Sequence, residues 1–402
     1  MSRFLVPVAI SALLAVAAPQ VAVAHSRLVS SNPAANATVA APRAIVLTFS
    51  ERSVPAFSGL ELVNAQGAAT ELRTAVSQDG KTLTGTPARP LAAGAYTVNW
   101  RIASGDGHRM TGSFNFTVRL TFGLPAFVLL NRPHLDERAL QGLRAQVGWA
   151  TGAMVVVVPI AILAQTALMA GSWSGALDPQ ALLVVVTGMG LGVALAVRWV
   201  AALAEGLLFA FRLKGRGFWF PAVLLGLVSV VTLAWTGHGA ATEGVGRFIH
   251  QGSTAVHAAA AAFWIGALAA FLWLAFRPIE PGSEEEARAA AMLTGFAGSG
   301  TVAVAILVAT GLVNTAFLVG PSRVLQLPQS LYGGLLILKL GLFLLMLALA
   351  ALHRFQLAPQ MEARSAHALT HLRRSLLVEF VCGGLILALV ALLGTLPPPM
   401  AM

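Results

Sequence analysis

One cysteine, two tyrosines and a charged fraction of only 10% are what this 402-residue sequence is shortest of. The lone Cys382 lies in an apolar run, which excludes an intramolecular disulfide framework. Any part outside a membrane must therefore hold itself together by packing. Soluble domains carry about a quarter charged residues, so 57% hydrophobic residues with so few charges exclude an ordinary soluble chain. No Walker or phosphorylation-type motif is present, so nothing in the sequence points to ATP drive. The formal charge of +10 does not imply a nucleic-acid partner, because most Arg and Lys beyond residue 118 sit in short segments between apolar runs.

What is present divides in two. Residues 25–118 read as an ordinary polar domain, and almost everything after 147 is apolar. At the amino end, Arg3 precedes an apolar stretch from Phe4 to Ala18, followed by Ala22-Val23-Ala24, the small-x-small pattern of a signal-peptidase site. A signal peptide is expected over 1–24, with cleavage leaving His25 first. A terminal histidine offers its α-amino nitrogen and imidazole Nδ1 to one metal as a compact chelate. The plain alternative is coincidence, since some residue must follow any cut.

Short alternating stretches follow, such as Ala44 to Phe49, Leu60 to Val63, Thr82 to Thr86, Tyr96 to Ile102 and Ser113 to Val118, separated by Gly, Pro, Asn and Asp clusters. They predict a small β-sandwich. Near its end Asp106 and His108 lie two apart, so an extended segment points both the same way. Joined to His25 they give the N,O ligand set that suits tetragonal Cu(II). The competing reading makes GDGH a polar turn capped by Asp106.

HSRLVSSNPAANATVAAPRAIVLTFSERSVPAFSGLEL together with SGDGHRMTGSFNFTV resembles the periplasmic copper-binding CopC family over essentially the whole domain. That resemblance implies an immunoglobulin- or cupredoxin-like β-sandwich in which His25, Asp106 and His108 ligate Cu(II). It places Glu51 beside the site or as a weak ligand. Met110 is the only methionine between the signal peptide and the apolar region, so the domain is expected to bind Cu(II) only.

Seven apolar runs are long enough to cross a bilayer, near 147–170, 181–209, 218–237, 254–276, 291–319, 332–352 and 375–396. Basic residues gather in Arg132–Arg144, Arg212–Arg216, Arg277–Arg288 and Arg354–Arg374, which the positive-inside rule assigns to the cytoplasm. With the β-domain outside, a further crossing is required between Val118 and Arg132, where barely a dozen apolar positions occur. Eight crossings are expected, the first anomalously short. The motifs WTGHGAA, HQGSTAVHAAAAAFWIGAL, ATGLVNTAFLVG and YGGLLILKLGLFLLMLALAALHRFQLAP, with SLLVEF and LLGTLPPP, resemble the CopD family over roughly 147–399. The chain is thus expected to be a two-domain CopC-CopD fusion of the bacterial inner membrane, with a helical bundle over 119–402.

Ionisable side chains are costly in hydrocarbon and are functional candidates by default. His238 and His250 are placed at neighbouring helix ends joined by a short loop, and His257 lies two turns beyond His250 on the same face. The three could pass copper inward. The alternative is that they cap helix ends or hydrogen-bond across the bundle. Arg198, Glu205, Lys339 and Glu379 also fall within spans, where pairing between helices or snorkelling accounts for them. His353, beside Arg354 at the inner end of its helix, is read as an interfacial anchor, with an exit ligand as the alternative.

These features predict copper import, with the β-domain capturing Cu(II) and the helices conducting it. A membrane-anchored copper buffer or sensor is the second reading. An oxidative enzyme built on the terminal-histidine chelate is set aside, because Asp106 would fill a position oxygen chemistry needs open. Copper and the lipid bilayer are the implied partners, nucleic acid is not, and a periplasmic chaperone is a conceivable loader.

Overall fold

A computed structural model describes residues 28–34, 37, 39, 42–49, 52–55, 58–64, 68–91, 96–101, 114–236, 242, 246–277, 283–363, 367–396 and 398–399. They divide into two compact units. One holds the described residues of 23–110 and 160–193, the other those of 111–159 and 194–402.

In the first unit, seven strands form two antiparallel sheets: β1 (Leu28–Asn32), β2 (Ile45–Phe49), β3 (Gly59–Asn64), β4 (Ala69–Thr70), β5 (Leu72–Val76), β6 (Thr82–Pro87) and β7 (Tyr96–Arg101). Their orders are β1-β2-β6-β5 and β4-β3-β7. Strand β2 alternates buried and half-buried residues, the pattern of a strand with one face on a core. Ile45, Leu47 and Phe49 meet Leu60 and Leu62 of β3 and Leu83 of β6 in that core. Four of the five expected strands are thus present.

The fifth is not. Ser113–Val118 was expected as a closing strand, but helix α1 (Phe114–Asn131) begins inside it. The alternating residues run without a turn signal into the apolar stretch beyond, and a short apolar run carries no period strong enough to separate strand from helix.

The remaining helices are α2 (Glu137–Ala170), α3 (Pro179–Gly188), α4 (Gly190–Ala210), α5 (Arg216–Val231), α6 (Gly246–Ala275), α7 (Glu284–Leu318), α8 (Leu331–Leu352), α9 (Ala358–Glu362) and α10 (Ala368–Leu393). Among the described residues, seven helical stretches are long and apolar enough to cross a membrane, in the positions of the seven runs in the sequence. The run at 181–209 needs correction, because it is broken into α3 and α4 at Met189, which is extended and fully buried. Gly192 lies so close to the Val185 carbonyl that a Cβ would overlap it, so the glycines of TGMGLG permit the break. Helix α3 also packs on Val54, through Ala181, Val185 and Met189.

The short α1 is not at the edge of its unit. Its Leu124, Phe127 and Val128 are fully buried, and it packs along α5 and α6. Backbone approaches backbone at two places: Gly123 against Ala262 and Gly266 of α6, and Gly226 of α5 against Thr121 and Phe122. Without a hydrophobic force between helices in lipid, such small-residue contacts are what let two helices close up.

The basic segments of this unit meet at one end. Asp136 accepts from both terminal nitrogens of Arg277, each at 3.3 Å. Arg373 donates to the carbonyls of Ala275 (2.6 Å) and Arg277 (3.1 Å), closing the C-terminus of α6. Arg144 lies over the rings of Phe209 and Phe218. These contacts define the basic end of the unit.

Candidate functional site

Of the residues singled out in the sequence, His25, Glu51, Asp106, His108 and His238 lie outside the described residues. The site therefore starts from His250 and His257, both on α6. Seven residues at 1.5 Å rise separate them by about 10 Å. They cannot ligate one ion together, and among the described residues no three His, Cys, Asp or Glu side chains gather as a metal cluster.

His250 is buried, stacks on Phe317 of α7 with centroids 4.8 Å apart, and places Nδ1 2.6 Å from the Thr242 hydroxyl. His257 places Nδ1 2.8 Å from the Thr310 hydroxyl of α7. That hydroxyl lies 2.6 Å from the Ile306 carbonyl and has one hydrogen, which goes there. Nδ1–H of His257 is then the donor to Thr310, and Nε2 carries the lone pair available to a metal or a proton. Ser253 donates to the Thr310 carbonyl and Thr254 lies 3.5 Å from Asn314, so α6 and α7 share a polar seam beside His257.

The same seam is strongly basic. Arg119 of α1 and Lys339 of α8 are both within electrostatic range of His257. Arg198, 1% exposed, lies in range of Arg119 and donates from Nε to Thr232 at 2.9 Å. Toward the basic end the sign reverses. Glu205 of α4, 1% exposed, accepts from Thr151 of α2 at 2.9 Å. Glu379 of α10, also 1% exposed, accepts from the Trp264 indole of α6 at 3.2 Å. Each intramembrane charge named in the sequence thus meets a polar partner across helices or a neighbouring charge.

His353 corrects the interfacial reading. It is only 6% exposed and opens a π-helical turn, His353–Leu357, that continues α8 into α9. Its Nε2 is 2.6 Å from the Ser375 hydroxyl and its Nδ1 3.4 Å from Glu379 Oε2. Sequence reasoning lacked the partner, which is 26 residues away in sequence on another helix. The polar letters HRFQ after a long apolar run read as a helix end rather than as a further turn into the bundle.

Outside the spans, Asp136 is the N-cap of α2. Partial burial pushes its carboxyl up, but the Ala139 backbone N–H, Arg277 and Arg288 outweigh this and hold it below the ordinary carboxylate range. A depressed carboxyl stabilises the fold above its unfolded-state value, and that contribution is lost as pH falls through the folded value. Asn keeps the cap but loses the charge that pairs with Arg277, so Asp136→Asn should lower stability in detergent at neutral pH by about 0.5 kcal/mol. The gap between variant and parent should narrow as pH falls below the ordinary carboxylate value of about 3.9 and close once the parent's carboxyl is protonated as well.

Family comparison places a CopC domain over residues 28–119, a copper resistance protein D-like N-terminal domain over 113–248 and a copper resistance protein D domain over 290–393. The chain is similar to copper resistance protein D of Pseudomonas syringae pv. tomato, at 37% identity over 280 residues, covering 68% of this chain and 86% of that protein. Its amino-terminal part is similar to copper resistance protein C of the same organism, at 47% identity over 103 residues, covering 24% of this chain and 82% of that protein. Copper transport protein CutJ of Bacillus subtilis (strain 168) is 24% identical over 426 residues, covering 95% of this chain and 76% of that protein.

Proposed function

Because the chain belongs to the copper resistance protein D family and carries a CopC domain ahead of the CopD part, we propose that it captures copper outside the inner membrane and conducts it inward. The observation that carries the reading is the order of the two parts in one polypeptide: a copper-binding module joined to a bundle with seven candidate spans. Capture falls to His25, Asp106 and His108 as Cu(II) ligands, with Glu51 beside them. The β-domain and both chain termini lie on the outer side, the basic end faces the cytoplasm, and the buried α1 is the eighth crossing.

Within the bundle, His238, His250 and His257 form the inward path. Support for His257 comes from its fixed tautomer, which keeps one imidazole lone pair for a cation, and from the polar seam around it. Lys339 and Arg119 oppose a cation resting there. The reading therefore gives His257 a transient role rather than that of a storage site.

Copper accumulation in cells tests this. Cells expressing the parent chain should accumulate more copper than cells lacking it. His25→Ala with verified cleavage, and a His238→Ala/His257→Ala double variant, should each remove most of the gain while the protein stays inserted. Equal accumulation in all strains would leave the chain a membrane-anchored copper buffer or sensor.

A further inference from the structure

The network around His353 is used by none of the steps above, and its construction is that of a relay. Glu379 Oε1 is held by the Trp264 indole, while Oε2 has no hydrogen-bond donor among the described residues and faces His353 Nδ1 at 3.4 Å. The other ring nitrogen meets Ser375 at 2.6 Å. All three side chains are buried, and Trp264, Leu376, Met346 and Cys382 belong to the apolar core of the same helices. A buried carboxylate commonly needs several donors or a cation to keep its charge. Here it has one indole N–H and an imidazole.

We propose that Glu379, His353 and Ser375 form a proton-binding site that gives up and regains one proton as a copper cation passes, so that copper movement is proton-linked. The proposal rests on the transport reading above. In the loaded state Glu379 is a neutral acid whose O–H faces Nδ1, and the imidazole carries its hydrogen on Nε2, donated to Ser375. On release the Glu379 O–H bond breaks and Nδ1–H forms, while Nε2–H breaks and that proton leaves through the Ser375 hydroxyl. The unloaded state is a carboxylate facing Nδ1–H, with the Ser375 O–H turned to Nε2. The two states differ by one proton and no electron. A buried negative charge is costly alone, so a passing cation favours the unloaded state and its departure favours reloading.

Three features besides the distances fit this role. The π turn adds a residue to the helix at His353, and such turns cluster at functional sites. The charge layout places Arg119 and Lys339 around His257, with Arg198 in range of Arg119, but acids toward the basic end, where a cation would next arrive. Few other ionisable groups bear on the pair. On α10 itself Cys382 is in electrostatic range of Glu379. Helix α6 presents Trp264, and Arg354, next to His353, reaches Thr301 of α7 at 3.3 Å. Among the described residues, no ionisable group of α7 acts on either member.

The test uses the full chain in lipid vesicles, with Cu(I) as the probe. Infrared difference spectra should show a carboxylic-acid carbonyl band that Cu(I) abolishes, and Glu379→Gln, which keeps an acceptor for Trp264, should lack the band. Ser375→Ala should keep the band but slow its response to Cu(I) at least tenfold. In the same vesicles Cu(I) entry should be accompanied by proton release on the side of the basic end, a release that is lost in Glu379→Gln. A band indifferent to Cu(I), or unchanged in Glu379→Gln, overturns the proposal. So does Cu(I) flux with no such proton release in the parent chain. If the parent chain moves no copper, the transport reading falls separately, and the response of the band to Cu(I) decides whether the proton site stands.

Discussion

Gly123→Leu should leave almost no folded, monodisperse protein after detergent extraction, whereas Leu124→Met, one residue along the same helix, should extract normally. A methyl group on Gly123 already runs into the Ala262 carbonyl and the Gly266 Cα, which are backbone atoms that no rotamer change can move aside. Overpacking a flexible core costs about 1–3 kcal/mol. Here the obstacle is rigid and the added side chain large, so α1 must separate from α6. That separation exposes Phe127 and Val128 and opens the central core of the unit. Leu124→Met conserves volume and should cost under about 1.5 kcal/mol. Size-exclusion recovery and thermal unfolding distinguish the two. Normal recovery of Gly123→Leu would mean that the α1–α6 contact does not hold the bundle.

The second large effect is expected at the mature amino terminus. Adding one residue ahead of His25, or substituting His25→Ala, should weaken Cu(II) binding on the order of a thousandfold, or about 4 kcal/mol. Both changes remove the proposed chelate of α-amine and Nδ1, the first while leaving the imidazole in place. Because the amine and imidazoles must be deprotonated to bind, parent affinity should begin to fall as pH drops below about 8 and fall more steeply below about 6.5. Asp106→Ala and His108→Ala should change the electron paramagnetic resonance spectrum as well as the affinity. Competition titration against a chromophoric chelator reads the affinities. An extended chain that binds as tightly as the parent would remove the terminal amine from the ligand set.

The seven spans were legible because twenty consecutive apolar residues admit few other structures. What escaped was local or distant. The break at Met189 depends on glycines that in other contexts continue a helix, and its signal is the unusual density of them in TGMGLG. Helix α1 read as a weak crossing because its apolar stretch is short, yet its burial comes from glycines on α5 and α6 that meet it. The intramembrane charges were visible one by one, but their partners were not. Arg198 finds Thr232, Glu205 finds Thr151, and Glu379 finds Trp264, which is 115 residues away along the chain. Hydroxyls and indoles are too common in such helices to be chosen as partners from spacing alone. His353 was misplaced for the same reason.

The central position of α1 also bears on how the protein is made. On the proposed topology a nascent chain delivers α1 to the membrane first, but the glycine surfaces that receive it belong to α5 and α6, synthesised roughly 100 to 140 residues later. Until then α1, with Arg119, Thr121 and Pro125 in its length, is a poor match for lipid. Its stable insertion must await those later helices. Truncated chains ending before α6 should therefore be substrates for membrane quality control, and those that include α6 should escape it.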